Sequence, residues 1–163
     1  MTDWVEPLKS SLPSYAKDTR LNLDAVVFRS SLSIQVVEGS FLAAAYTIGN
    51  KTILEALRDS SQREAAHLAA LTMAQNNVWY PYAEMIKETI SDNNPRLRMN
   101  AILNHGGVHK ASFESYSLVA SILGKCHFCV KSHVDSLLKE GYTLESIRDL
   151  GRIAAVVNAI DKA

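Results

Sequence analysis

Along most of this chain the apolar residues return every three or four positions, the spacing of a helix with one buried face. The last segment is the clearest. Ile147, Leu150, Ile153, Ala154, Val157 and Ile160 form one stripe, and Thr143 stands ahead of them as a candidate cap. Gly141, just before it, suits the left-handed residue that ends the preceding helix. Ser61 followed by Glu64 reads as a capping box, after which Ala65, Leu68, Ala69, Leu71, Thr72 and Met73 fill a largely buried helix. From Ala65 to Ala83 there is no Asp, Glu, Lys or Arg. His67, Gln75, Asn76, Asn77 and Pro81 nevertheless make that stretch too polar and too broken for a lipid span, so it predicts a buried helix and its exit.

The breakers divide the rest. The four prolines are Pro7, Pro13, Pro81 and Pro95, leaving Ser14–Tyr80 and Arg96–Ala163 uninterrupted. Turn signals fall at Gly49-Asn50, Ser91 to Pro95, Asn104 to Gly107 and Gly124. The one strand-like run, Ala25-Val26-Val27-Phe28, is short and has no evident pairing partner. The expected fold is an all-α helical bundle in a single domain, residues 1–163. Shifted by fifty positions, EAAHLAALTMAQNNVW (64–79) lies over ESYSLVASILGKCHFC (114–129), with Glu64 on Glu114, Asn76 on Cys126 and Trp79 on Cys129. Two related helical hairpins would give this pattern, and so would two similar apolar helices.

Composition narrows the function classes. Hydrophobic residues make up 47% of the 163 and charged residues 21%, a soluble globular balance. Seventeen basic side chains match seventeen acidic ones, which points away from nucleic acid or an anionic membrane as a partner. Met1-Thr2-Asp3-Trp4 carries no basic segment ahead of an apolar run, and the two cysteines sit close together rather than spread as a secreted framework. A cytoplasmic protein is expected.

The chemistry gathers at Cys126-His127-Phe128-Cys129, with His133 four residues on. On a helix Cys126, Cys129 and His133 share one stripe, and Gly124-Lys125 marks the helix start. A thiol in a first helical turn feels unpaired N–H groups and the positive dipole end, which favour thiolate. A second thiol three residues away can capture an oxidised first one, and the imidazole can take a thiol proton. Three other readings compete: ordinary core cysteines, a zinc site with His127 or His105 as fourth ligand, and a disulfide exchanger that never meets peroxide. No second ligand pair supports zinc. Glu114, twelve residues before Cys126, either faces solvent or orients His133 and stores a proton; spacing leaves both open. There is no GxGxxG or P-loop, so nicotinamide would enter only through a partner enzyme.

The chain resembles the alkyl hydroperoxidase D (AhpD) family nearly end to end. LKSSLPSYAKDTRLNL (8–23), NNVWY (76–80), LRMN (97–100) and SFESYSLVASILGKCHFCVKSH (112–133) carry the likeness. The resemblance implies an all-helical protomer assembled as a homotrimer, with weak antioxidant peroxidase activity and no bound cofactor or metal. It implies a partner peroxiredoxin of the alkyl hydroperoxide reductase C (AhpC) type. Electrons would come from dihydrolipoamide on a lipoylated succinyltransferase, recharged by dihydrolipoamide dehydrogenase. By position, Cys129 becomes the thiol that forms the sulfenic acid and the interchain disulfide with the peroxiredoxin. Cys126 becomes proton donor and resolving thiol, paired with Cys129 in the redox disulfide, and His133 and Glu114 join the proton relay. A related decarboxylase branch shares the scaffold without redox cysteines.

Two positions depart from that family's pattern. Its members tend to carry His immediately before the second cysteine, where this chain has Phe128; His127 lies one place earlier, about 100° round a helix. A relay here would use water or His133 alone. The loop His105-Gly106-Gly107-Val108-His109 replaces a more proline-bearing one, and its histidines read as solvated surface. His67, without a thiol partner in sequence, reads as a hydrogen-bonded structural histidine.

Overall fold

A computed structural model describes residues 2–163. Met1, with which the reading of the N-terminus begins, lies outside them. Among the described residues there are eight α-helices and no strand: α1 (Val5–Ser10), α2 (Lys17–Phe28), α3 (Ile34–Ile48), α4 (Lys51–Ala56), α5 (Arg63–Met85), α6 (Lys110–Leu123), α7 (His127–Lys139) and α8 (Leu144–Lys162). Two short 3-10 turns, Asn100–Ile102 and His105–Gly107, lie between α5 and α6. The strand-like run at Ala25 simply closes α2. None of the helices is long and apolar enough to cross a membrane.

The core forms around α3, which packs against α5, α6 and α8. Val37, Phe41, Leu42, Ala43, Ala44 and Ala45 are all inaccessible to solvent, so this helix is apolar almost all round. Gly39 lets α6 come close: a Cβ there would collide with the ring of Tyr116. That ring is itself inaccessible, and burial pushes its phenol well above the usual tyrosine range. Its hydroxyl donates to Gln62 Oε1 at 2.8 Å, which pins the start of α5 against the same contact.

Helix ends follow the capping signals in most places. Thr143 caps α8 as expected, accepting from the Ser146 N–H at 3.1 Å, and Gly141 takes the left-handed position at φ 89°. The capping box at Ser61 does not form. Helix α5 begins at Arg63, and Ser61 Oγ accepts instead from the Gln62 side chain at 3.0 Å. The physical reason is next door. Ser60 Oγ donates to Glu38 Oε2 at 2.8 Å and Gln62 is held by Tyr116, so Ser61 and Glu64 are left facing solvent. Helix α5 also runs past Pro81 to Met85, with Ala83 of its last turn buried. Both segments of the fifty-residue comparison are helical as far as Gly124, beyond which they differ, because α5 is unbroken where α6 and α7 separate.

A buried carboxylate ties the α2–α3 connection to α8. Asp149 Oδ2 accepts from the Ser31 N–H at 2.8 Å and the Ser31 hydroxyl at 2.9 Å, and Oδ1 accepts from Arg152 at 2.9 Å. Burial pushes this carboxyl up, but the Ser31 donors and Arg152 outweigh it and hold it below the usual range.

Candidate functional site

The site begins at the turn joining α6 to α7. Gly124 lies against Asn77 of α5, where a Cβ would collide with the Asn77 side chain, and that side chain donates to the Ala120 carbonyl at 3.1 Å. Gly124 keeps ordinary right-handed dihedrals, so its neighbour makes the bend: Lys125 adopts φ 55°, uncommon for a residue with a side chain. The bend delivers Cys126 to the N-cap of α7. Its Sγ accepts the N–H of Cys129 at 3.2 Å, one of the donors a helix start leaves unpaired. Cys126 and Cys129 are joined by a disulfide, their Cα atoms 5.3 Å apart. Cys126 is 0% exposed and Cys129 4%.

One turn further along α7, His133 meets α6. Its Nδ1 lies 2.6 Å from Glu114 Oε2, and both side chains are largely shielded from solvent. Glu114 therefore does not point into water. The other ring nitrogen, Nε2, lies 3.2 Å from Met73 Sδ on α5. Both nitrogens are thus engaged away from the cysteines. The Cys129 sulfur instead sits 3.8 Å from the Asn76 carbonyl oxygen. Helix α5 supplies this inner wall through Met73, Asn76 and Asn77. Sequence reasoning placed Met73 only as core filling; the polar run Gln75-Asn76-Asn77 within an apolar helix was the available signal for a wall with chemistry.

Beside the disulfide lies a groove of about 760 Å³ whose lining includes Tyr80, Met85, Ile90, Phe128, Lys131 and Cys126. Phe128, half-exposed, stacks on Tyr80 with ring centroids 4.4 Å apart. His127 is exposed on the groove rim. Of the loop histidines, His109 is exposed and His105 partly buried beside Phe113. His67 departs from expectation: it is exposed and stacks flat on Tyr46, with centroids 3.9 Å apart, rather than being held by a hydrogen bond. Among the described residues no cluster of three or more His, Cys, Asp or Glu side chains is arranged to hold a metal ion.

Residues 93–163 match the model of the carboxymuconolactone decarboxylase family. Whole-chain relatives agree on a narrower group. The alkyl hydroperoxide reductase AhpD of Coxiella burnetii (strain RSA 493 / Nine Mile phase I) is 37% identical, with 96% of this chain and 94% of that protein aligned. Its namesake in Rhodospirillum centenum is 39% identical over 96% of this chain and 88% of that one. The Maricaulis maris protein of the same name is 38% identical over 96% and 94%. Likeness at this level runs the length of the chain instead of stopping at the CxxC turn, and on that ground the protein belongs to the AhpD family.

Proposed function

We propose that this protein is an antioxidant alkyl hydroperoxide reductase working through a Cys126–Cys129 dithiol–disulfide cycle. The observation that carries the reading is the disulfide itself, seated at the start of α7 one turn from a histidine–carboxylate pair. In the dithiol form the Cys129 thiolate attacks the terminal peroxide oxygen. The O–O bond breaks, Cys129 becomes a sulfenic acid, and Cys126 or the relay protonates the departing alkoxide. Cys126 then displaces water from the sulfenic acid and closes the disulfide. A dithiol of the dihydrolipoamide type reopens it by exchange through Cys129, and the sulfur of Cys126 leaves onto the Cys129 N–H that now caps it. Glu114 and His133 hold and move the proton, with Glu114 fixing the ring from Nδ1.

The same reading includes an AhpC-type peroxiredoxin, reduced through an interchain disulfide at Cys129. It includes a lipoylated succinyltransferase and dihydrolipoamide dehydrogenase as the electron supply, a cytoplasmic setting, and no resident cofactor. A homotrimer belongs to it too. Leu71, Val78, Tyr82 and Met85 form an exposed apolar stripe along α5 that a second copy would cover.

The test is a coupled assay with lipoamide, its dehydrogenase and NADH, run with an organic hydroperoxide, with and without the peroxiredoxin. Cys129→Ser should abolish NADH consumption and Cys126→Ser nearly so. Full activity in both variants would sink the assignment. NADH loss seen only with the peroxiredoxin would make the protein an exchange adaptor, and stoichiometric zinc in the purified protein would favour an interaction module.

A further inference from the structure

Around His133 one neighbour has no part in the reaction just described. Met73 lies in α5, 3% exposed, and its sulfur meets Nε2 at 3.2 Å. Glu114 Oε2 occupies the other edge of the ring, 2.6 Å from Nδ1. A thioether offers lone pairs and has no hydrogen to give. The contact with Nε2 is therefore attractive only when that nitrogen carries hydrogen. A bare Nε2 would set lone pair against lone pair where little water can intervene, leaving a shielded polar atom unpartnered.

We propose that Met73 is a positioning residue for the Glu114–His133 pair: its sulfur holds hydrogen on Nε2, which leaves Nδ1 and Oε2 to share a second proton. The geometry stands on its own, while the use made of it rests on the function proposed above. Two arrangements satisfy both contacts, an imidazolium facing a carboxylate or a neutral ring facing a protonated carboxyl. Each contains the same two hydrogens. Without the sulfur a third arrangement opens, with Nδ1–H donating to a carboxylate and Nε2 bare, and it holds one proton fewer. Met73 thus keeps the pair loaded while the disulfide is closed.

A loaded pair serves the reductive half of the cycle. An incoming thiolate bonds to Cys129 Sγ, the Cys126–Cys129 bond breaks, and Cys126 keeps the electron pair. Neither ring nitrogen faces a cysteine, so the reserve proton passes to that sulfur through water. The dithiol's second S–H then restores the proton as its sulfur closes the lipoyl-type ring, and Cys129 leaves with the negative charge that the first thiolate brought. Atoms and charge balance without any further reagent.

The experiment compares oxidised wild-type protein with Met73→Leu, both labelled with ¹⁵N-histidine, by long-range ¹H–¹⁵N correlation at neutral pH. In the wild type, Nε2 of His133 should resonate as a protonated nitrogen. In Met73→Leu, which conserves volume but removes the acceptor, it should move toward the unprotonated range. Single-turnover opening of the disulfide by dihydrolipoamide should slow about tenfold in the variant, with KM for the dithiol unchanged. An unprotonated Nε2 in the wild type overturns the inference, whether or not the variant folds. Slowing without a change in the nitrogen shift overturns it as well, since packing alone would then explain the loss. Failure of the proposed function would appear elsewhere, as cysteine variants that keep full activity while the nitrogen shifts stay as described.

Discussion

Asp149 and Glu114 are both shielded carboxylates at junctions between helices, and their neighbours treat them oppositely. Asp149 is met by groups that can only give or are turned to give: the Ser31 N–H, the Ser31 hydroxyl and Arg152. Glu114 has one hydrogen-bond partner among the described residues, the Nδ1 of His133, which can both give and take a proton. The first arrangement fixes an anion and locks the α2–α3 connection onto α8. The second sets a carboxylate against a group that can exchange a proton with it, one helical turn from a disulfide, which is what the proposed relay requires. A buried carboxylate is thus a structural fastener or a chemical group according to whether its partners can accept back what they donate.

The sharpest way to break that comparison is to remove the exchanging group. His133→Phe should lower kcat/KM for an organic hydroperoxide, with dihydrolipoamide as reductant, by about 10²-fold, the range for a positioned acid or base. Glu114→Gln should fall in the same direction by a smaller factor, because the amide still orients the ring but cannot take up and release a proton. Thermal unfolding of Glu114→Gln should stay close to that of the unaltered protein, while His133→Phe should also lose some stability because it leaves the shielded Glu114 carboxylate unpartnered. A variant that melts early and keeps its turnover would make Glu114 a fastener after all.

Asp149→Asn probes the other member. Losing the charge-assisted bonds to Ser31 and Arg152 should cost about 2 kcal/mol of stability, read from urea unfolding, with activity per folded molecule unchanged. The sign with pH follows from the depressed native value. Burial raises the Asp149 carboxyl, but the Ser31 donors and Arg152 bring it lower than it would be unfolded. Its stabilisation is complete above the ordinary carboxylate pKa and is lost as pH falls through the native value. The unaltered protein and Asp149→Asn should therefore converge toward acid. A constant gap would mean that the donors act by packing and not through the charge.

Much of the second arrangement was legible in the sequence, and the reasons mark its limits. Helical spacing alone puts Cys126, Cys129 and His133 on one stripe, because local geometry fixes neighbours three and four apart. The partner of Glu114 was not legible from spacing, since the bend at residues 124–126 sets the angle between α6 and α7. The Ser61 capping box failed for a tertiary reason: Glu38 and Tyr116 claim the residues on either side of it. Met73 shows the other limit. A methionine in an apolar helix looks like core filling until a histidine from sixty positions away is laid against its sulfur. The departure at Phe128 was visible as a substitution, but the stack on Tyr80 that gives the ring a place was not.

The smallest expected effect tests how the bend itself is divided between two neighbours. Gly124 has unexceptional dihedrals but no room, and Lys125 has the left-handed φ of 55°. A side chain in that conformation costs roughly 1 kcal/mol, which glycine avoids, although glycine also gives up more freedom on folding. Lys125→Gly should therefore raise stability by about 0.5 kcal/mol, a shift of one or two degrees in the melting midpoint. Gly124→Ala should act in the opposite direction, because its Cβ would drive Asn77 from the Ala120 carbonyl. Opposite signs at adjacent positions are the signature of a turn in which one residue supplies space and the next supplies the dihedral. If both substitutions shift stability the same way, that division is wrong, and the bend delivering Cys126 to the start of α7 must be held by some other contact.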